Sequence, residues 1–246
     1  VYVDAFVDFV TERNGRASGV EGRFIDPDTR QVVANFRAEG QIVVIGAGPV
    51  QTPLLLQKSG VGRQSGMVGR NLSVRPGVSV FGKFPEPVYG WRGAFTGVHV
   101  DEFWKEKHNW IDMNSGVAAP AQLISQGELG EGDDHVRFMK EYKYFSALNV
   151  FVHDHGQGYV QWIGDPVTGD KRIEWNLNRE EFNSLREGLR HAGRVLFAAG
   201  AEKVYLPAYN RTSARNVFEL DQAVDKIEFG SLGLYTLRMI AYNPQG

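Results

Sequence analysis

Apolar and polar positions alternate loosely at the start of the chain. Val1, Val3, Ala5 and Val7 can share one face, so Val1–Val10 predicts a strand. Asn14-Gly15 is a hairpin turn signal and Arg16–Phe24 the return strand, with Gly19 and Gly22 marking a bulge. After the Pro27-Asp28 turn, Gln31–Phe36 predicts a third short strand. Ile42–Ile45 is an unbroken β-branched run, the pattern of a strand buried on both faces of a parallel sheet. Gly46-Ala47-Gly48 ends that run with almost no side-chain volume. Thr52-Pro53 predicts a helix start, with Thr52 as the cap and Pro53 in the first turn. Leu54, Leu55 and Leu56 fill this short helix and Gly60 suits its left-handed end.

From Ser73 the texture changes. Val78, Val80 and Phe84 open a strand. Leu148, Val150 and Val152 alternate, Asp154–Gly158 turns, and Tyr159–Trp162 returns as a hairpin. A turn over Gly164–Asp170 leads to a strand at Arg172–Trp175, so an antiparallel sheet is expected between Val78 and Asn176. Asn178 with Glu181 has capping-box spacing. Phe182, Leu185, Leu189, Ala192, Leu196 and Ala199 then recur at three and four, one apolar stripe that predicts a long helix ending at Gly200. Arg186, Glu187, Arg190 and Arg194 lie off the stripe. Val217–Val224 is a short helix, and Leu232–Ala241 a final strand or helix.

Composition narrows the picture. A chain of 246 residues, 42% hydrophobic and 23% charged, is globular and long enough for one large or two smaller domains. A formal charge of −2 gives no polyanion-binding surface, so nucleic acid is not an expected partner. With no cysteine there is no disulfide and no thiolate metal site. No apolar run approaches the roughly 20 residues of a membrane helix. A soluble protein is expected, with the cytoplasm favoured. Aromatic residues from Trp91 to Phe145 are expected mostly in the core, some lining a substrate cavity. Gly127–Asp134 reads as an exposed acidic loop, and a metal site from Asp133, Asp134 and His135 is the less favoured reading. His153 and His155 read as exposed residues at a hairpin end, and no metal is expected.

The glycines at Gly46 and Gly48 fit tight helix-on-strand packing, or a site where a flat ligand meets bare backbone, since the third glycine of a dinucleotide fingerprint is missing. A nicotinamide site would need an acidic residue after a second strand, where Met67-Val68-Gly69-Arg70 stands instead. No G-x-S-x-G nucleophile elbow occurs.

The spacing Gly48-Pro49-x-x-Thr52-Pro53-x-Leu55-Leu56-x-x-Ser59-Gly60-Val61-Gly62 resembles the second signature of the glucose–methanol–choline (GMC) flavin oxidoreductases, and Val68-Gly69-Arg70-Asn71-Leu72 continues the likeness. Arg186–Arg190 and Leu196–Ala201 resemble the alcohol-oxidising branch. The resemblance implies a mixed α/β plus α+β fold. Residues 1–74 would be part of an FAD/NAD(P)-binding Rossmann-like domain, residues 75–240 an antiparallel-sheet substrate domain with helices on one face, and residues 241–246 a return to the first.

It also implies FAD as cofactor, held by Val7 near the adenine and by Gly46, Ala47, Gly48, Pro49 and Thr52. The activity implied is oxidation of an alcohol by hydride transfer, within a larger subunit whose remainder lies before Val1 and after Gly246. Two positions depart from the family. Arg75 stands before Pro76 where a histidine is usual, a departure that either alters the flavin edge of the site or, in the favoured reading, is a solvated turn arginine. Asn243-Pro244-Gln245-Gly246 matches the catalytic "HPxGT" segment with asparagine in place of histidine. Asn243 is the candidate catalytic residue, but an amide accepts no proton at neutral pH. The alternative is a non-catalytic flavin-fold subunit used for binding or assembly.

Overall fold

The structure, a computed structural model, describes residues 1–94, 96–104, 111–116, 132–208, 212–229 and 240–245, without the side chains of 134 and 240–245. The strands are β1 (Ala5–Arg13), β2 (Arg16–Ile25), β3 (Val32–Glu39), β4 (Arg70–Lys83), β5 (His99–Val100), β6 (Asp112–Gly116), β7 (Phe145–Phe151), β8 (Gly158–Ile163), β9 (Asp170–Glu174), β10 (Lys203–Tyr205), β11 (Ser213–Ala214) and β12 (Ile240–Gln245). The helices are α1 (Gly48–Ser59), α2 (Asp133–Glu141), α3 (Arg179–Ala198) and α4 (Val217–Asp225). Two compact units form: Val1–Val74 with His155–Asn176 and Pro244–Gly246, and Arg75–Asp154 with Leu177–Asn243.

In the first unit β1, β2 and β3 make an antiparallel meander. Asn14 and Gly15 both take positive φ at its first turn, as a tight hairpin requires. The bulge expected from the glycines is present. Register slips between Val7 and Phe9, opposite Gly22 and Glu21, leaving Asp8 as the extra residue. A β-carbon on Gly22 would lie 2.2 Å from the Phe6 carbonyl, so only glycine fits. Helix α1 is tied to β1 by a hydrogen bond from the Val10 amide to Ser59 Oγ at 2.8 Å. Leu54 of α1, Leu72 and Val160 form a buried cluster against Val50 and Trp162.

Two expectations for this unit change. Ile42–Ile45 is not a buried strand; Ile42 and Val44 are almost fully exposed. A parallel strand needs neighbours for its amides and carbonyls, and no described strand pairs with this run. Helix α1 starts at Gly48, with Ala47 as its cap, so Thr52 and Pro53 lie inside it. Pro49 in the first turn already supplies the fixed φ of a helix start, ahead of Thr52. Gly60 closes the helix in the left-handed region as expected, at φ 75°.

The second unit is an antiparallel sheet in the order β11-β10-β4-β7-β6-β5, and β12 also pairs with β4. Its residues alternate between two faces. Val150 and Gly82 point toward α3, where a β-carbon on Gly188 would meet Val150 Cγ1 and one on Gly82 would meet Leu196. Phe182, Leu185, Leu189, Ala192 and Leu196 of α3 are all buried, as the stripe requires, while Ala199 is exposed. The off-stripe arginines grip α4: Arg190 pairs with Asp225, and Arg194 with Asp221 at 3.0 Å. Helix α2 is an addition on the opposite face, where Phe138 stacks on Phe145 at 4.3 Å and packs beside Phe81 and Ala147. Asp133 thus opens a helix rather than closing an acidic loop. Of that loop residues 127–131 lie outside the described residues, as do residues 232–239 of the final element.

The Leu148–Trp162 hairpin is not formed. β7 has β4 and β6 on its two sides, and β8 pairs with β9 and the start of β4 instead. With both edges of β7 already taken, a return strand has no place beside it. Residues 155–176 belong to the first unit, where β8 and β9 extend the antiparallel pairing from the start of β4 rather than from β7. The α3 cap is as expected. Asn178 Oδ1 accepts from the Glu181 amide at 2.8 Å, and Glu181 accepts from the Asn178 amide at 2.9 Å. Asn178→Ala is expected to lower stability by about 1 kcal/mol, measured as a shift in the urea unfolding midpoint with unchanged slope.

Candidate functional site

The residues after Ile45 shape a corner of bare main chain. Around Gly46 and Gly48 no heavy atom lies within 4 Å of where a β-carbon would be. Gly48 takes φ 82°, a conformation that glycine adopts without strain. Helix α1 begins there with no side-chain cap and no acidic residue in its first turn. Its first amides, other than that of Pro49, are therefore free to meet an anionic group at the positive end of the helix.

Two clefts of the first unit meet the predicted cofactor residues. Gly46, Gly48, Pro49 and Thr52 line one of about 690 Å³. Val7 and Ala47 line another, of about 1190 Å³. The second carries charge that sequence reading missed. Asp8, re-aimed by the bulge, accepts from Nε and Nη2 of Arg23 at 2.7 and 2.8 Å. This pairing raises the Arg23 pKa, first through the hydrogen bond and then through the charge. Lys58 places its ammonium 4.9 Å from the Trp162 ring centre and 5.3 Å from that of Phe9. The corner offers backbone and open volume, the clefts offer cationic groups and an aromatic wall, and this set fits a flat ring system carrying phosphates.

In the second unit Arg75 corrects its expectation. It is not a solvated turn residue but part of β4, ion-paired with the buried carboxylate of Asp112. Its guanidinium lies over the Phe151 ring at 4.4 Å. Burial lowers its pKa from the ordinary value. His99 meets the other oxygen of Asp112. On the same sheet face Ser79 donates to Asn149 at 2.7 Å, and Asn149 donates to Asn114 at 3.2 Å, a buried polar row across β4, β7 and β6. Asn243 lies in β12, and its side chain is outside the described residues. His153 and His155 are exposed. Among the described residues no group of three or more His, Asp or Glu could hold a metal, and no helix is long and apolar enough to cross a membrane.

Residues 1–77 match the GMC oxidoreductase family. An uncharacterized GMC-type oxidoreductase of Mycobacterium tuberculosis is 30% identical over 242 residues, 98% of this chain and 36% of that protein. A long-chain-alcohol oxidase of Arabidopsis thaliana is 28% identical over 207 residues, 80% of this chain and 26% of that protein. Among solved structures the formate oxidase of Aspergillus oryzae RIB40 superposes with a TM-score of 0.56 at 14% identity, covering 98% of this chain and 50% of that one, which shows a common fold. The chain is similar to GMC oxidoreductases along its length, with residues 1–77 matching the family, and spans well under half the length of these two relatives. The match to this family carries FAD as the cofactor.

Proposed function

We propose that this chain forms part of an FAD-dependent enzyme that oxidises an alcohol, taking a hydride from the carbinol carbon. The observation that carries the reading is the open corner at Gly46–Gly48 leading into an uncapped helix. Bare backbone admits a flat ring closely, and the free amides of α1 meet phosphate charge. Gly46, Gly48, Pro49 and Thr52 would hold the cofactor on one side, and Val7 and Ala47 on the adenine side. When bound, the flavin supplies the hydride acceptor; the protein supplies orientation, exclusion of water and a base for the hydroxyl proton. The similarity to a long-chain-alcohol oxidase supports an alcohol as the donor.

The test is spectroscopic. The protein, as part of its whole subunit, should purify yellow or take up added FAD, and its flavin absorbance should bleach under anaerobic conditions with a primary or secondary alcohol. Failure to bind FAD would remove the reading. Asn243 favours a second one, a flavin-binding subunit without catalysis, because its amide cannot act as a base. Stable yellow protein that no alcohol bleaches would select that alternative.

A further inference from the structure

Gln57 lies in the last turn of α1, and its side chain joins that helix to two other segments of the first unit. Nε2 donates to the Val68 carbonyl at 3.0 Å and to the Val160 carbonyl at 2.9 Å, and Oε1 accepts from the Trp162 amide at 2.6 Å. The edge of β8 explains the need. Along one side β8 pairs with β9. Along the other it meets β4 only at Gly158 and Tyr159, opposite Leu72 and Arg70. Just past that point the Val160 amide still reaches the Gly69 carbonyl at 2.7 Å. The Val160 carbonyl and the Trp162 amide have no strand residue opposite them on that side. The primary amide of Gln57 stands in for the missing peptide, offering an N–H and a C=O in one plane. Its second N–H ties the same point to the turn before β4. These partners also shape the cleft of Gly46 and Gly48, which is lined by Thr52, Pro53 and Leu56 of α1 and by Val68, Gly69 and Val160. Gln57 does not line that cleft; it braces the backbone that does.

We propose that Gln57 is a positioning residue for FAD: its amide sets the separation between α1 and the paired backbones of Gly69 and Val160, and so the width of the cleft that opens at Gly46 and Gly48. The proposal rests on FAD occupying that corner, as read above. The requirement for glutamine is specific. Asparagine is one methylene too short to reach all three partners. An ionised glutamate sets a carboxylate against two carbonyl oxygens. Methionine keeps the length and the packing but brings no donor. Each change releases the Val68 and Val160 carbonyls and the wall they belong to is no longer fixed against α1. Ser59 is the contrasting tie. It holds the same helix to β1, accepting from the Val10 amide at 2.8 Å, and lines neither cofactor cleft.

The experiment compares Gln57→Met, Gln57→Glu and Ser59→Ala in the whole subunit. Titration of apoprotein with FAD gives affinity, visible circular dichroism of the bound flavin reads its orientation, and apoprotein melting gives stability. Ser59→Ala should lower the melting temperature yet keep FAD affinity within about threefold of wild type. Gln57→Met should weaken FAD binding about tenfold or more and change the flavin dichroism at saturation. Gln57→Glu should bind FAD worst at neutral pH and recover toward about pH 5, because a protonated carboxyl donates to one carbonyl while accepting from Trp162. That recovery decides the matter should Gln57→Met fold poorly. Affinity and dichroism of Gln57→Met that match wild type overturn the assignment, as does an affinity loss equalled by Ser59→Ala. So does a Gln57→Glu affinity that gains nothing over wild type on acidification. A wild-type subunit that takes up no FAD removes the cofactor reading and this assignment with it; wild-type uptake with insensitive Gln57 variants removes the assignment alone.

Discussion

Gly46→Leu is expected to abolish FAD retention while leaving the apoprotein as stable as wild type. The two halves of that expectation come from the same geometry. Gly46 does not take a positive φ, and no atom lies within 4 Å of its missing β-carbon. A side chain there meets no protein neighbour, so stability should change by about 0.5 kcal/mol or less. The volume it enters is the approach to bare main chain ahead of α1. Affinity for FAD should fall 100-fold or more, equivalent to about 2.8 kcal/mol at 1.4 kcal/mol per tenfold. Flavin absorbance after desalting reads the first quantity and thermal melting of the apoprotein the second. Gly48→Leu is the contrasting variant. At φ 82° it adds backbone strain of about 1–2 kcal/mol, so it should lose both cofactor and stability. A Gly46→Leu protein that stays yellow would place the cofactor elsewhere.

How far the chain announced this structure differs between its two units, and the reasons are physical. Local signals carried well. Asn14-Gly15 set the first turn, and the α3 cap and apolar stripe were readable because their partners are three or four residues apart. The corner at Gly46–Gly48 was legible as small residues after an apolar run, but the run itself misled. Ile42–Ile45 has the composition of a buried strand, and burial depends on neighbours that no residue within the run can declare. Strand adjacency failed for the same reason: β7 and β8 follow each other in the chain, yet β4 and β6 hold the edges of β7. Asp8 reaches Arg23 only because a bulge displaces it, and a bulge shifts register in a way that simple counting from the turn does not reproduce. Arg75, Asp112 and His99 were invisible as a group because their register is set by pairing across β4, β7, β6 and β5.

Gly69→Val is expected to be strongly destabilising to the first unit, costing about 3–5 kcal/mol. Gly69 takes φ 86°, where a β-branched residue is strained by about 1–2 kcal/mol. Its β-carbon would also lie 2.1 Å from the Val160 carbonyl oxygen and 2.3 Å from Gln57 Nε2. Neither can withdraw freely. The Val160 amide donates to the Gly69 carbonyl at 2.7 Å, which holds the two backbones together. Gln57 bridges α1 to β8, donating to Val68 and Val160 carbonyls at 3.0 and 2.9 Å and accepting from the Trp162 amide at 2.6 Å. Relief of the overlap must break part of that bridge, adding about 1 kcal/mol per lost hydrogen bond to an overpacking cost of 1–3 kcal/mol. Gly66→Ala isolates the strain: φ 63° with nothing within 4 Å should cost about 1 kcal/mol and no more. Urea unfolding of the two variants side by side separates these contributions. The bridge also borders the cleft of Gly46 and Gly48, so Gly69→Val should weaken FAD binding even where the chain remains folded. Equal stability losses for the two variants would show that the bridge is more compliant than its hydrogen bonds imply.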